Sequence, residues 1–198
     1  MSDQLREKKR AAILQAARGV FSQKGLIGVT MSDLVAASGI SRGGLYLYYK
    51  SVDEVFTAVV QAKASHRFAG VKAAAARNVP FAVLFNAYLA GHKNRLLHQM
   101  NDSMLRAMYE YAFTHKRPAD HAFQRAQYAT TEETILSILR LGVAQGVLLD
   151  VALAPVAEHV MFTIEGMNVL ALTSGLTPEQ IESQWRLLKA GLPWVAPR

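Results

Sequence analysis

The segment that most constrains the fold is residues 30–54, TMSDLVAASGISRGGLYLYYKSVDE, which has the pattern of two short helices joined by a tight turn. Thr30 is placed to cap the first helix, and an acidic residue three positions later is typical of a helix start. Gly39 tolerates the left-handed backbone that ends a helix at a sharp turn. Ser41 is placed to cap a second helix, predicted over Arg42–Tyr49. The segment therefore predicts a helix-turn-helix.

A further helix is predicted on the amino-terminal side of this motif. Apolar residues from Ile13 to Phe21 follow helical spacing, and this helix is expected to end near Lys24 and to pack behind the motif. Together the three helices form a predicted N-terminal domain over residues 1–52. Ser51 followed by Glu54 has the spacing of a capping box and predicts a fourth helix from there.

The remaining chain, residues 53–198, is divided by proline and glycine into helical segments without a strand pattern. Gly91 is interpreted as an end or a kink of one of these helices. We predict an all-α protein of about nine helices, in which a helical C-terminal domain follows the N-terminal one. The later helices are predicted over Asn78 onward, Leu96–His115, Asp120–Ala144, Pro155–Leu172 and Thr177 onward.

Composition excludes several classes of protein. The chain has 198 residues, of which 51% are hydrophobic and 19% charged, so it is long enough to bury a sizeable core. No apolar run approaches the roughly 18 residues that a membrane span requires, and the first ten residues are polar, so we expect a cytoplasmic protein without a membrane partner. The absence of cysteine excludes disulfides, thiolate metal sites and cysteine nucleophiles.

Positive charge is concentrated at the amino-terminal end. The formal net charge is +7, and residues 1–50 hold eight lysines and arginines against three carboxylates. A basic segment that also carries a helix-turn-helix suggests a polyanionic partner, because phosphate contacts supply most sequence-independent affinity for DNA. For the run from Arg6 to Arg10 alone, a solvated charged face is an equally good interpretation.

The motif resembles the DNA-binding region of the TetR family of bacterial transcriptional regulators. The resemblance covers about Ile13 to Phe56 and includes the S-G-I-S turn and the following G-G-L-Y-x-Y-Y-x-S sequence. It implies a repressor that binds a near-palindromic operator as a homodimer and is released by a small effector. The residues that carry the resemblance are Ala16, Ala17, Phe21, Gly25, Thr30, Gly39, Leu45 and Tyr46.

The second helix of the motif is expected to enter the major groove. Arg42 at its start is the candidate for base readout, because a guanidinium can fork onto O6 and N7 of guanine. Gly43 and Gly44 remove side chains that would hold the backbone away from DNA, although tolerance near a helix end is the alternative. Leu47 faces outward and can meet a thymine methyl group, whereas Leu45 and Tyr49 are expected to pack inward.

Other predicted contacts go to the DNA backbone. The first turn of the first motif helix has free N–H groups that favour a phosphate, and the resemblance implies phosphate contacts by Tyr46 and Tyr48. The family usually has a lysine where this chain has Val52, and Lys50 is the candidate replacement. The predicted DNA-binding residues are Thr30, Met31, Ser32, Arg42, Gly43, Gly44, Tyr46, Leu47, Tyr48 and Lys50.

The resemblance implies dimerisation and effector binding in the C-terminal domain. The last two helices, about 155–174 and 178–191, are expected to pair with their counterparts, with Gly166 permitting close approach and Trp185 and Leu188 adding contact area. A largely apolar small effector is expected to meet side chains on two helices, although ordinary core packing is the alternative for each residue. These side chains are Tyr88, His92, Met104, Met108 and Tyr111.

No motif demands catalysis, so we predict neither an enzyme nor a resident metal or cofactor. His98 and Asp102 are four residues apart and could share a metal only with a third ligand from elsewhere. Two alternative functions stay open. One is a helical ligand-binding or enzymatic protein whose basic head is incidental, and the other is a DNA-binding regulator controlled by a partner protein.

Overall fold

A computed structural model describes residues 3–100 and 102–196 of the chain, and these residues form nine helices. The predicted all-α fold is confirmed. One isolated β-bridge, between Leu148 and Trp194, is present in the described part. The helices are α1 Asp3–Lys24, α2 Met31–Ser38, α3 Arg42–Tyr46, α4 Val52–Ala76, α5 Phe81–His98, α6 Leu105–Thr114, α7 Pro118–Ala144, α8 Leu153–Thr173 and α9 Pro178–Ala190.

The chain divides into two compact units. The first unit is Met1–Lys63 with Asn101–Ala122, and the second is Ala64–Met100 with Phe123–Arg198. Helices α1, α2, α3 and α6 therefore belong to the first unit, and α5, α8 and α9 to the second. The division between functional domains at residues 52 and 53 stays a prediction. The grouping of α6 with the helix-turn-helix was not expected from the sequence.

Local caps determine the ends of the motif helices, as their sequence predicted. The Thr30 hydroxyl accepts a hydrogen bond from the Asp33 N–H at 3.2 Å, and Asp33 Oδ2 accepts one from the Thr30 N–H at 2.8 Å. Gly39 ends α2 with φ of 66°, where a side chain would be strained. Ser41 Oγ accepts from the Gly44 N–H at 3.2 Å and caps α3.

Aromatic rings fill the core of the first unit. The rings of Phe21 and Phe56 meet edge to face at 5.3 Å, and Phe56 stacks on Tyr111 at 5.2 Å. Leu45 of α3 is fully buried, so the recognition helix is anchored by its inner face. The contact between Phe56 and Tyr111 joins α4 to α6 within this unit.

The second unit has a larger, mostly aliphatic core formed by α5, α7, α8 and α9. Among the described residues, no helix is both long and apolar enough to cross a bilayer. The long helices of this unit each bury one apolar face, which is how amphipathic helices stabilise a bundle. Fully buried members of this core include Phe81, Ile135, Ile138, Leu139, Val160 and Ile181.

Two predicted helix boundaries are wrong. The second motif helix ends at Tyr46 rather than Tyr49, where the Tyr48 N–H donates to the Leu45 carbonyl, only three residues back, at 3.0 Å. The predicted helix Leu96–His115 is two helices, since α5 continues to His98 and α6 begins only at Leu105. Gly91 lies within α5 and does not end it.

Candidate nucleic-acid interface

Arg42 lies at the first position of α3 and is exposed. Its guanidinium carbon lies 5.8 Å from the centroid of the Tyr46 ring, one turn further along the helix. This cation–π contact holds the side chain along the outer surface of α3. The position is free to meet a ligand that approaches the amino end of the helix, while its role in base readout stays a prediction.

The two glycines of α3, Gly43 and Gly44, have different surroundings. A Cβ atom on Gly44 would lie 2.8 Å from Ile40 Cγ2 and 3.0 Å from Ser41 Oγ, so a side chain there would crowd the turn. A Cβ atom on Gly43 would meet nothing within 4 Å, and the residue is exposed. The protein's own packing therefore explains Gly44 and leaves Gly43 as the position where a bare backbone faces outward.

The aromatic run after α3 alternates between surface and core. Leu47 is 77% exposed, whereas Leu45 and Tyr49 are buried, as the sequence predicted. Tyr46 and Tyr48 are half-buried. The Tyr48 hydroxyl is enclosed and has no hydrogen-bond partner among the described residues. A phosphate contact by Tyr48 therefore requires that this hydroxyl become accessible.

The amino end of α2 presents exposed Thr30 and Ser32 and half-buried Met31. Lys24 Nζ lies 2.5 Å from Asp33 Oδ1, and this bond, followed by those from the backbone and side chain of Thr30, lowers the pKa of Asp33 to about 2. The carboxylate thus stays ionised and neutralised by Lys24. The amino end of α2 is therefore exposed beside the ion pair of Lys24 and Asp33.

Lys50 is exposed, and its ammonium group donates to the Tyr46 carbonyl at 2.9 Å, at the carboxyl end of α3. The Lys50 N–H donates to Glu54 Oε2 at 2.6 Å. Val52 begins α4 and is half-buried. In the free protein Lys50 therefore caps α3, and its replacement of the family lysine stays a prediction.

Glu110 of α6 holds the turn between α1 and α2, which sequence reasoning missed. Its Oε2 atom accepts hydrogen bonds from the Leu26 N–H at 2.5 Å and the Ile27 N–H at 2.9 Å. Its Oε1 atom accepts from Arg106 Nε at 2.7 Å. Burial acts to raise the pKa of Glu110, but the bonds from Ile27, Arg106 and Leu26 together hold it below its ordinary value.

Gly25 makes this contact feasible. It has φ of 76°, and a Cβ atom there would lie 2.5 Å from Glu110 Oε2. The glycine is therefore required both by the backbone conformation and by the approach of the carboxylate. The only sequence signal was the spacing of Arg106 and Glu110, typical of an exposed pair on one helix, and nothing in it pointed to a turn 84 residues away.

Tyr111, one of the predicted effector contacts, takes part in a buried polar network of the first unit. Its hydroxyl donates to Asp120 Oδ1 at 3.0 Å, and Arg117 forks onto the same carboxylate at 3.0 Å. These bonds, led by the one from Arg117, hold the pKa of Asp120 far below its ordinary value. The Tyr111 ring also stacks on His115, which lies 3.1 Å from Asp53 Oδ2.

The predicted effector contacts are divided between the two units. Tyr88 and His92 lie together on α5 of the second unit, with ring centroids 4.7 Å apart. The remaining three predicted contacts belong to the first unit: Met104 is buried, Met108 half-buried, and Tyr111 bonded as described. The structure therefore divides the predicted set into two groups, one on α5 and one in and directly before α6.

Tyr88 and His92 belong to a polar cluster in an otherwise apolar core. Arg95 Nη2 lies 2.7 Å from His92 Nδ1 and donates to Asn168 Oδ1 of α8 at 2.9 Å. The Tyr88 hydroxyl is enclosed without a hydrogen-bond partner among the described residues, and burial raises its pKa to about 12. A buried polar atom without a partner is unusual and is a candidate for contact with a ligand.

An apolar face on α8 and α9 stays uncovered within the second unit. Phe162, Val169, Leu170 and Leu187 are all at least 46% exposed. A cleft of about 350 Å³ runs beside them, lined by Gly166 and by residues of both helices. The prediction that Trp185 and Leu188 add contact area is wrong, because both are buried in the core of their own unit.

His98 and Asp102, the pair weighed as metal ligands, are exposed. Within residues 3–100 and 102–196, no three histidine, aspartate or glutamate side chains are grouped so that they would hold a metal ion. The pair therefore gains no third ligand in the described part of the chain.

Comparison with known proteins agrees with this geometry. A family model described as bacterial regulatory proteins of the tetR family matches residues 13–59. The chain is 30% identical over 142 residues to YfiR of Bacillus subtilis, an uncharacterized HTH-type transcriptional regulator; the match covers 71% of this chain and 68% of that protein.

Solved structures show the same fold at lower identity. A TetR-family regulator from Agrobacterium tumefaciens has a TM-score of 0.72 at 18% identity and covers 93% of this chain and 97% of its own. SmeT, the repressor of the Stenotrophomonas maltophilia multidrug efflux pump SmeDEF, has a TM-score of 0.67 at 17% identity and covers 96% of each chain. The protein is thus a helix-turn-helix transcriptional regulator. It belongs to the TetR family of bacterial regulatory proteins.

Proposed function

We propose that the protein represses transcription by binding a near-palindromic operator as a homodimer and is released by a small, largely apolar effector. The observation that carries this proposal is the amino end of α3, where exposed Arg42 and the open backbone at Gly43 stand beside a buried anchor, Leu45. A rigid helix with a polar, uncovered amino end suits entry into a major groove.

Base readout is assigned to Arg42. Forking onto guanine requires the guanidinium to leave the Tyr46 ring, which is an exposed and therefore weak contact. A good bidentate pair discriminates against the wrong base by about 1–3 kcal/mol. Leu47 stands nearby as an exposed apolar group for a thymine methyl. Backbone contacts are assigned to the amino end of α2 and to Lys50.

Dimerisation is assigned to the uncovered face of α8 and α9. Phe162, Gly166 and Leu170 line its cleft, and Leu187 is 64% exposed on α9. Large apolar side chains grouped on one face mark interaction sites in proteins. Two-fold pairing of this face presents two recognition helices to two half-sites of a palindrome.

Effector binding is assigned to the surroundings of Tyr88 and His92. Tyr88 packs against the apolar core of the unit, which includes Phe85, Leu89 and Met161. Such surroundings, with a few polar groups from Arg95 and Asn168, suit a largely apolar molecule that carries one polar group. The effector is proposed to bind more tightly to the conformation that binds DNA poorly. The ratio of its affinities for the two conformations sets the largest change that it can cause in DNA affinity.

The test is sequencing of genomic fragments retained by the purified protein at about 150 mM salt, which suppresses purely electrostatic binding. We expect enrichment of a palindromic site by the wild type and a relaxed preference by Arg42→Ala. Arg77→Ala, an exposed arginine of the second unit, is the matched control. Sequence-independent retention by a folded dimer would instead favour a ligand-binding protein whose basic head is incidental.

A further inference from the structure

The amino-terminal turns of α1 lie outside the region matched by the family model, which begins at residue 13. Residues 3–10 are all exposed and include four cations and two carboxylates. Those on one side of the helix face the segment that follows α3. Together they line a cleft of about 370 Å³ within the first unit, formed by Asp3, Arg6, Glu7, Arg10, Leu47, Tyr48 and Tyr49.

The side chains of this cleft are joined by weak contacts. Arg10 Nε donates to the Tyr49 hydroxyl at 3.4 Å, and Arg10 Nη1 lies 4.0 Å from Glu7 Oε1. Both members of the ion pair are more than half exposed, so water screens their attraction. Tyr48 also lines the cleft, and its enclosed hydroxyl has no hydrogen-bond partner among the described residues. The cleft thus presents two guanidinium groups, from Arg6 and Arg10, to a ligand that enters it.

The cleft lies where a DNA backbone passes if α3 occupies the major groove. Helix α3 has five residues, which at about 1.5 Å per residue is a length of roughly 7.5 Å. The major groove is about 12 Å wide. The helix covers more than half of this width, so the residues that follow directly after it come close to the edge of the groove, where the phosphates are. Leu47, Tyr48 and Tyr49 are these residues.

We propose that the cleft between the first turns of α1 and the end of α3 binds a backbone phosphate that flanks the operator half-site, with Arg6 and Arg10 as its cationic donors. This inference rests on the proposed function, because it places α3 in the major groove. Arginine suits the task, since its planar fork matches two phosphate oxygens. Asp3 and Glu7 oppose a phosphate in the same cleft and thereby limit the affinity.

The experiment measures operator affinity by fluorescence anisotropy between about 50 and 200 mM salt for the full chain. The logarithm of the affinity falls linearly with the logarithm of the salt concentration, and one lost phosphate contact makes this slope shallower by about 0.9. Across this range the affinity of Arg6→Ala should therefore fall about threefold less than that of the wild type. Its affinity at low salt should be lower for operator and unrelated DNA alike. Glu7→Gln should change affinity in the opposite direction and bind more tightly, because it removes a repelling charge.

Lys8→Ala is the matched control, because Lys8 is about 200° around α1 from Arg6 and does not line the cleft. Equal losses in Arg6→Ala and Lys8→Ala would overturn the inference, since they indicate a diffuse basic surface. No gain from Glu7→Gln would also overturn it. Absence of any wild-type preference for an operator would contradict the proposed function instead. Far-ultraviolet circular dichroism confirms that each variant is folded.

Discussion

The two units are stabilised by different kinds of contact. In the first, carboxylates bond to backbone N–H groups and cations, as Asp33, Glu110 and Asp120 do. In the second, an aliphatic core is interrupted by a cluster around Arg95 and Asn168. The difference follows from helix length: α2 has eight residues and α3 five, whereas helices shorter than about 12 residues are marginal alone. Short helices need capping and clamping, and long ones need only a buried face.

The largest effect expected from this comparison is that of Gly25→Ala. A side chain at φ of 76° costs about 1–3 kcal/mol, and displacing the Glu110 carboxylate removes two charge-assisted bonds to the backbone. We expect a loss of about 3–5 kcal/mol in the free energy of unfolding of the first unit. Urea titration followed by circular dichroism and hydrogen exchange measures this loss.

Gly39→Ala separates the two contributions to this loss. Gly39 has φ of 66°, and a Cβ atom there meets nothing within 4 Å, so only the backbone cost of about 1–3 kcal/mol applies. Equal losses in the two variants would show that the Glu110 contact adds little. The clamping of the turn by Glu110 would then not distinguish the first unit from the second.

A smaller loss is expected from Asn168→Leu in the second unit. The substitution removes the acceptor that Arg95 Nη2 bonds at 2.9 Å, and a lost bond to a half-buried charged group is worth about 1–3 kcal/mol. Both tryptophans, Trp185 and Trp194, lie in this unit, so their fluorescence in urea reports its unfolding. An unchanged midpoint would mean that the aliphatic core alone determines the stability of this unit.

Glu182→Gln is the surface control for this prediction. Glu182 pairs with Lys93 at the surface of the same unit, where solvent screens the ion pair. We expect little change in the fluorescence midpoint. A loss as large as that of Asn168→Leu would show that charge, rather than burial, determines the effect.

Acid should weaken the first unit through its clamping carboxylates. The pKa of Asp33 is about 2, and those of Glu110 and Asp120 are also below their ordinary values. A lowered pKa means that the folded state favours the ionised form, so this stabilisation is complete above about pH 5 and is lost progressively as the pH falls toward 2. Asp33→Asn should flatten this dependence in an acid titration followed by circular dichroism, whereas Asp150→Asn, an exposed control in the second unit, should not.

The sequence predicts those parts of the structure that depend on contacts between residues close together in the chain. The caps at Thr30, Gly39 and Ser41 act over three or four residues, so the helix-turn-helix is readable from its own segment. The break between α5 and α6 is not readable, because apolar spacing continues through it. Nor is the bond between Glu110 and the Leu26 N–H, which joins positions 84 residues apart and depends on the packing of α6.

The smallest expected effect has the opposite sign and concerns Tyr88 in the second unit. Its hydroxyl is enclosed without a partner among the described residues, and an unsatisfied buried polar atom costs about 1–3 kcal/mol. Tyr88→Phe should therefore raise the free energy of unfolding by about 1 kcal/mol, since part of the cost is relieved by relaxation of the core. Tyr128→Phe, whose ring is 52% exposed, should leave it unchanged.

The same variant also tests whether that hydroxyl is kept for a ligand. If the effector meets Tyr88, Tyr88→Phe should be more stable yet need more effector to release DNA, a combination that a purely structural tyrosine does not give. A destabilised Tyr88→Phe would show that the hydroxyl is bonded in solution. The contrast between the two units would then rest on helix length and not on this hydroxyl.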